Sequence, residues 1–124
     1  MLIVDFCMPT KKRYDITAIV RDKHGHIISR ANNSYVKTHP MQARLAEKVG
    51  RAKKIYLHAE VLAILRAGNR IEKAYSIEVY RFDNNGKPRL AKPCPICMEL
   101  IRTTPIKQII YTVDDTDEEM VEDL

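Results

Sequence analysis

The nine residues from Ala59 to Ala67, Ala-Glu-Val-Leu-Ala-Ile-Leu-Arg-Ala, constrain the fold of this chain more than any other stretch. They are good helix formers, apolar on nearly every side, and Gly68-Asn69 supplies a stop. A helix with almost no polar face cannot sit against water, so the rest of the chain must bury it. With 124 residues, 45% of them apolar and 30% charged, there is material for one core and one domain.

The cover is expected from strands. Tyr14 to Val20 alternates apolar and polar residues, Asp22-Lys23-His24-Gly25 is polar turn chemistry, and His26 to Ala31 would return as the second strand of a hairpin. Thr38-His39-Pro40 prepares a helix from Met41 to Val49 that Gly50 can end. After the apolar helix, Tyr75 to Phe82 reads as a strand, and Asp83-Asn84-Asn85-Gly86 turns the chain into an arm, Lys87 to Lys92. Pro95 suits the first turn of a helix running to about Thr103, and Lys107 to Val113 reads as the last strand. Strands interleaved with helices in this order predict an α/β sandwich around one mixed sheet.

Charge is unevenly spread. Lys and Arg number 21 against 16 Asp and Glu, a net +5, but seven of those acids lie within residues 114–124, which carry no Lys or Arg. Setting the seven aside leaves 21 bases and 9 acids, a body of +12, basic enough to attract a phosphate-bearing ligand. We therefore divide the chain into a domain over residues 1–113 and an acidic C-terminal tail over residues 114–124, the tail being expected as a solvated, disordered end. No apolar run approaches the ~18 residues of a membrane span, and Met1 to Phe6 lacks the basic flank and cleavage site of a signal peptide, so a cytoplasmic protein without membrane contact is expected.

Cysteines at 7, 94 and 97 do not make a disulfide framework. Cys7 reads as a small core residue, whereas Cys94-Pro95-Ile96-Cys97 is either a redox dithiol or half of a metal site. Position adds information. His58 and Glu60 open the apolar helix just as Cys94 and Cys97 open the next one, so four reactive side chains occupy two helix N-termini, where anionic groups are stabilised. One His and two Cys are three ligands for tetrahedral Zn2+ with the fourth position open, the arrangement of catalytic rather than structural zinc. Glu60 would then be a proton carrier rather than a ligand.

His58-Ala59-Glu60 followed by Pro93-Cys94-Pro95-Ile96-Cys97 resembles the zinc signature of the cytidine and deoxycytidylate deaminase superfamily, and the likeness in element order extends over residues 14 to 112. The resemblance implies a three-layer α/β/α sandwich and Zn2+ held by His58, Cys94 and Cys97. It also implies hydrolytic deamination: zinc-activated hydroxide attacks the amino-bearing ring carbon, Glu60 shuttles protons and ammonia leaves. Asn33 and Ala59 would contact substrate, a cytidine, a deoxycytidine or its monophosphate. A polynucleotide deaminase acting on tRNA adenosine or single-stranded DNA cytosine is the alternative, and a non-catalytic zinc-stabilised interaction module is the reading from another class. The resemblance also implies a homodimer or larger homo-oligomer.

Other residues carry two readings each. His24 and His26 belong to a turn and should be exposed. His39 either enters a helix or faces the pocket, and Tyr35 is the first tyrosine to test for base stacking. The basic stretch from Arg30 to Lys54 either meets a phosphate or polynucleotide backbone or is a solvated face.

Overall fold

In a computed structural model, the structure describes residues 15–34, 39–48, 50 and 58–124. The described residues open with the expected hairpin, β1 (Asp15–Asp22) and β2 (Ile27–Asn32). Its turn is built by Asp22, whose Oδ1 accepts the N–H groups of His24 and His26 at 2.9 Å each, both histidines being exposed. Helix α1 (Pro40–Lys48) and helix α2 (Ala59–Ala67) follow, and α2 runs on into a 3-10 turn, Gly68–Lys73, before β3 (Ala74–Phe82). A short β4 (Pro88–Arg89), helix α3 (Pro95–Ile101), β5 (Gln108–Thr112) and β6 (Glu119–Asp123) complete the order.

The expected α/β architecture around one mixed sheet is what is found. The strands run β2-β1-β3-β5-β6, with β4 paired to the end of β3. β1 is antiparallel to both β2 and β3, β5 is parallel to β3, and β6 is antiparallel to β5. Register puts the buried side chains on one face: Ala31 opposite Ala18, Ala18 opposite Val79, Val20 opposite Ile77, Ile77 opposite Ile109 and Val79 opposite Tyr111. This face takes the apolar helix. Ser29 Oγ donates to the Ala63 carbonyl at 2.7 Å, pinning α2 over the hairpin. The connections β2 to β3 and β3 to β5 move the same way across the sheet, and right-handed crossovers then place α2 and α3 on the same side. Ile77, Ile96, Ile101 and Ile109 are fully buried between sheet and helices, each contributing roughly 1.5–3 kcal/mol by leaving water.

The opposite face carries a polar relay at its centre. Glu78 is buried, and its carboxylate accepts Arg21 Nε at 2.6 Å and the Tyr80 hydroxyl at 2.5 Å, so the buried charge is paired on both oxygens. Burial and the Glu78 carboxylate push the Tyr80 phenol up.

The expectation that fails is the tail. Glu119–Asp123 is exposed along most of its length, as expected, but it is not disordered: it pairs antiparallel with β5 from Thr112↔Glu119 to Gln108↔Asp123. Backbone hydrogen bonds are blind to side-chain charge, and an edge strand can point its acids at water, where they also discourage further pairing. The body supplies partners for the rest. Tyr111 donates to Glu122, Lys92 Nζ lies 3.1 Å from the same carboxylate, and Arg89 reaches Asp115 at 3.5 Å. Smaller differences concern ends: α3 stops at Ile101 rather than about Thr103, and only Pro88–Arg89 of the arm forms ladder bonds. Cys7, Tyr35 and the lysines and arginine at 37, 51, 53 and 54 lie outside the described residues.

Candidate metal centre

α2 and α3 both start at the carboxyl end of β3, the end at which open α/β sheets leave a crevice. Each begins with a residue the sequence singles out. His58 is the N-cap of α2, with extended backbone (φ −79°, ψ 153°), and its carbonyl accepts the first helical bond from Leu62 N–H at 3.0 Å. Cys94 is the N-cap of α3, also extended (φ −71°, ψ 170°), Pro95 follows in the first turn, and Met98 N–H bonds the Cys94 carbonyl at 2.9 Å. Cys97, one turn on, is fully buried, while His58 and Cys94 are half-buried.

Three donor atoms converge. His58 Nδ1 lies 3.3 Å from Cys97 Sγ and 3.6 Å from Cys94 Sγ, and the two sulfurs are 3.9 Å apart. Tetrahedral zinc with ordinary bond lengths needs about 3.8 Å between two sulfurs and about 3.6 Å between nitrogen and sulfur. The three separations scatter closely around these values, so His58, Cys94 and Cys97 fit Zn2+, and among the described residues this set of three leaves one coordination position for water or substrate.

The electrostatics of the cluster are those of a cation site. The Cys97 thiol, then the His58 ring and the Cys97 backbone N–H, hold the Cys94 thiol down to about 4 against its burial. Cys97 moves the other way, pushed up by its bond with Cys94, by burial and by the Glu60 charge. The cluster thus favours a thiolate at Cys94, the form in which a cysteine binds a dication.

Glu60 is the one ionisable group among the six buried residues of α2. It is 6% exposed, and burial pushes its carboxyl above the ordinary carboxylate range; its own backbone N–H, His58 and the Cys97 thiol oppose that shift. A carboxyl placed in an apolar helix beside three metal donors, but not itself among them, is suited to carry protons.

The remaining expected residues lie outside the donor set. Ala59 is fully buried at the first position of α2, so only its backbone N–H can serve a ligand. Asn33 follows β2 and grips β1: its Oδ1 accepts Ile16 N–H at 3.2 Å and its own N–H bonds the Ile16 carbonyl at 3.1 Å. His39 is a helix-entry residue, its Nδ1 accepting Met41 N–H at 3.0 Å. Gln42 is the residue that sequence reasoning passes over. It is fully buried, and its Oε1 accepts the backbone N–H of His58 at 3.2 Å. Nothing local marks it, since a glutamine in a short helix ordinarily faces water.

Among the described residues no helix is long and apolar enough to cross a membrane. In comparison with known proteins, the family model for the cytidine and deoxycytidylate deaminase zinc-binding region matches residues 4–113. No curated protein matches the chain.

Proposed function

Because the chain belongs to the cytidine and deoxycytidylate deaminase zinc-binding family, we propose that it is a hydrolytic deaminase of a free cytosine nucleoside or its monophosphate. The observation that carries the reading is the convergence of His58, Cys94 and Cys97 beside the buried carboxyl of Glu60. When bound, zinc supplies a water that ionises near neutral pH. The protein's own groups do the rest. Glu60, raised by burial, takes a proton at its carboxylate and delivers it to the ring nitrogen next to the amino-bearing carbon, then serves again as ammonia leaves. Asn33 has its Oδ1 committed to Ile16, so its Nδ2 hydrogens are the donors it offers to a sugar hydroxyl or base carbonyl. The Ala59 backbone N–H, at the head of α2, is a second donor of fixed direction. The site accordingly binds a ligand rich in acceptors.

The working unit is read as a homodimer or larger assembly, supported by the exposed apolar residues Ile27 on one edge strand and Met120 and Val121 on the other, and tested by light scattering. A cytoplasmic location suits two cysteines that must stay reduced. The test of function is ammonia release across nucleobases, nucleosides, nucleotides and short oligonucleotides. Release from cytidine, deoxycytidine or their monophosphates is expected. Release from oligonucleotides alone, with salt-sensitive binding, would move the assignment to a polynucleotide deaminase. One tightly held zinc without turnover of any base would leave a zinc-stabilised module.

A further inference from the structure

The head of α2 lacks the parts that ordinarily complete a helix start. Its N-cap is His58, whose ring is turned to the two cysteine sulfurs and makes no cap bond to the helix. The third helical residue, which in a capping box reaches back to the N-cap N–H, is Val61 and has nothing to offer. The missing acceptor comes from another helix. Gln42, in the first turn of α1 and fully buried, presents Oε1 to His58 N–H at 3.2 Å. The same helix packs on α3, where Lys48 Nζ meets Glu99 Oε1 at 2.6 Å, two residues beyond Cys97. Thus α1 touches both helices whose first turns carry the metal donors.

We propose that Gln42 is a positioning residue for the metal centre: by closing the His58 backbone N–H from α1, it sets where the imidazole stands relative to Cys94 and Cys97. The inference rests on the reading of His58, Cys94 and Cys97 as zinc ligands. Burying a glutamine with no access to water is costly unless its polar atoms are used, and here Oε1 is used on the backbone of a ligand. An orienting bond of this kind narrows the range of ring positions sampled without metal, so its loss weakens binding and loosens coordination geometry while leaving the three donors in place.

The experiment compares the full-length chain with Gln42→Met, which keeps length and removes the acceptor, and with Gln42→Glu, which keeps an oxygen at that atom. Metal-stripped proteins are titrated with zinc against a chromophoric chelator and with Co(II), whose visible bands report coordination geometry. Gln42→Met is expected to bind zinc about 10- to 100-fold more weakly, with altered Co(II) bands, and Gln42→Glu to recover most of both. Equal affinity and identical bands in wild type and Gln42→Met overturn the proposal alone, as does equal weakening in both variants with unchanged bands. Where Gln42→Met does not fold, Gln42→Glu decides: wild-type bands and affinity support the proposal, a loss as large as about 10-fold overturns it. A wild-type chain that takes up no Co(II) overturns the ligand reading itself.

Discussion

Glu60→Gln should separate activity from stability at one atom. The substitution keeps the shape of a side chain that is 6% exposed and removes its charge and its capacity to carry a proton. A positioned acid–base group contributes about 10²–10⁴-fold to rate, and Glu60 is assigned transfers in both directions, so the upper figure applies. A loss of about 10⁴-fold is about 5 kcal/mol of transition-state stabilisation. Zinc should remain, since Glu60 is outside the donor set. Stability should move oppositely. Burial raises the folded-state pKa of Glu60, so the folded chain disfavours the ionised form, and stability is lost as pH rises above the ordinary carboxylate value. The metal-free Gln variant should therefore match wild type at acidic pH and exceed it at neutral pH. Ammonia release, zinc content by mass spectrometry and melts of metal-free protein at both pH values provide the assay. Turnover above about a tenth of wild type, with zinc retained, would refute the proton-carrier role.

Alanine at His58, Cys94 or Cys97 should each lower zinc affinity more than about 100-fold, read by chelator competition, because two remaining donors no longer define a tetrahedral site. Ile77→Ala empties the centre of β3, between Val20 and Ile109, and should cost about 2–5 kcal/mol in urea unfolding, a large share of the roughly 5–15 kcal/mol of a typical domain. Tyr111→Phe should lower the melting midpoint by a few degrees at neutral pH. The Tyr111 hydroxyl, then Lys92, hold the Glu122 carboxyl down, so that contribution exists above the ordinary carboxylate pKa and is lost as pH falls through the folded value. Glu122 in turn pushes the Tyr111 phenol up, so the contribution also fades as pH rises past the ordinary tyrosine value. A difference between the two proteins that is independent of pH would contradict the assignment.

Three features of the sequence carried over unchanged, and each is governed by chemistry within one or two helical turns. The apolar run Ala59 to Ala67 is α2 to the residue. His58 and Glu60 in one first turn, and Cys94 and Cys97 in another, are local spacings that a helix converts directly into position. Hairpin turns and the entry at His39-Pro40 depend on a few adjacent residues.

Tertiary structure decided what depends on residues far apart in the chain. That the acidic end would become the edge strand turned on an unpaired side of β5, on Tyr111 and on Lys92, none of which its composition can report. That Asn33 would spend its carbonyl oxygen on Ile16, and Gln42 its oxygen on His58, turned on which backbone donors the fold left open nearby. Side-chain periodicity and capping are short-range properties, written in neighbouring residues. The satisfaction of buried polar groups is settled only when distant segments meet, because each N–H or carboxylate takes whichever partner the packed chain brings within reach.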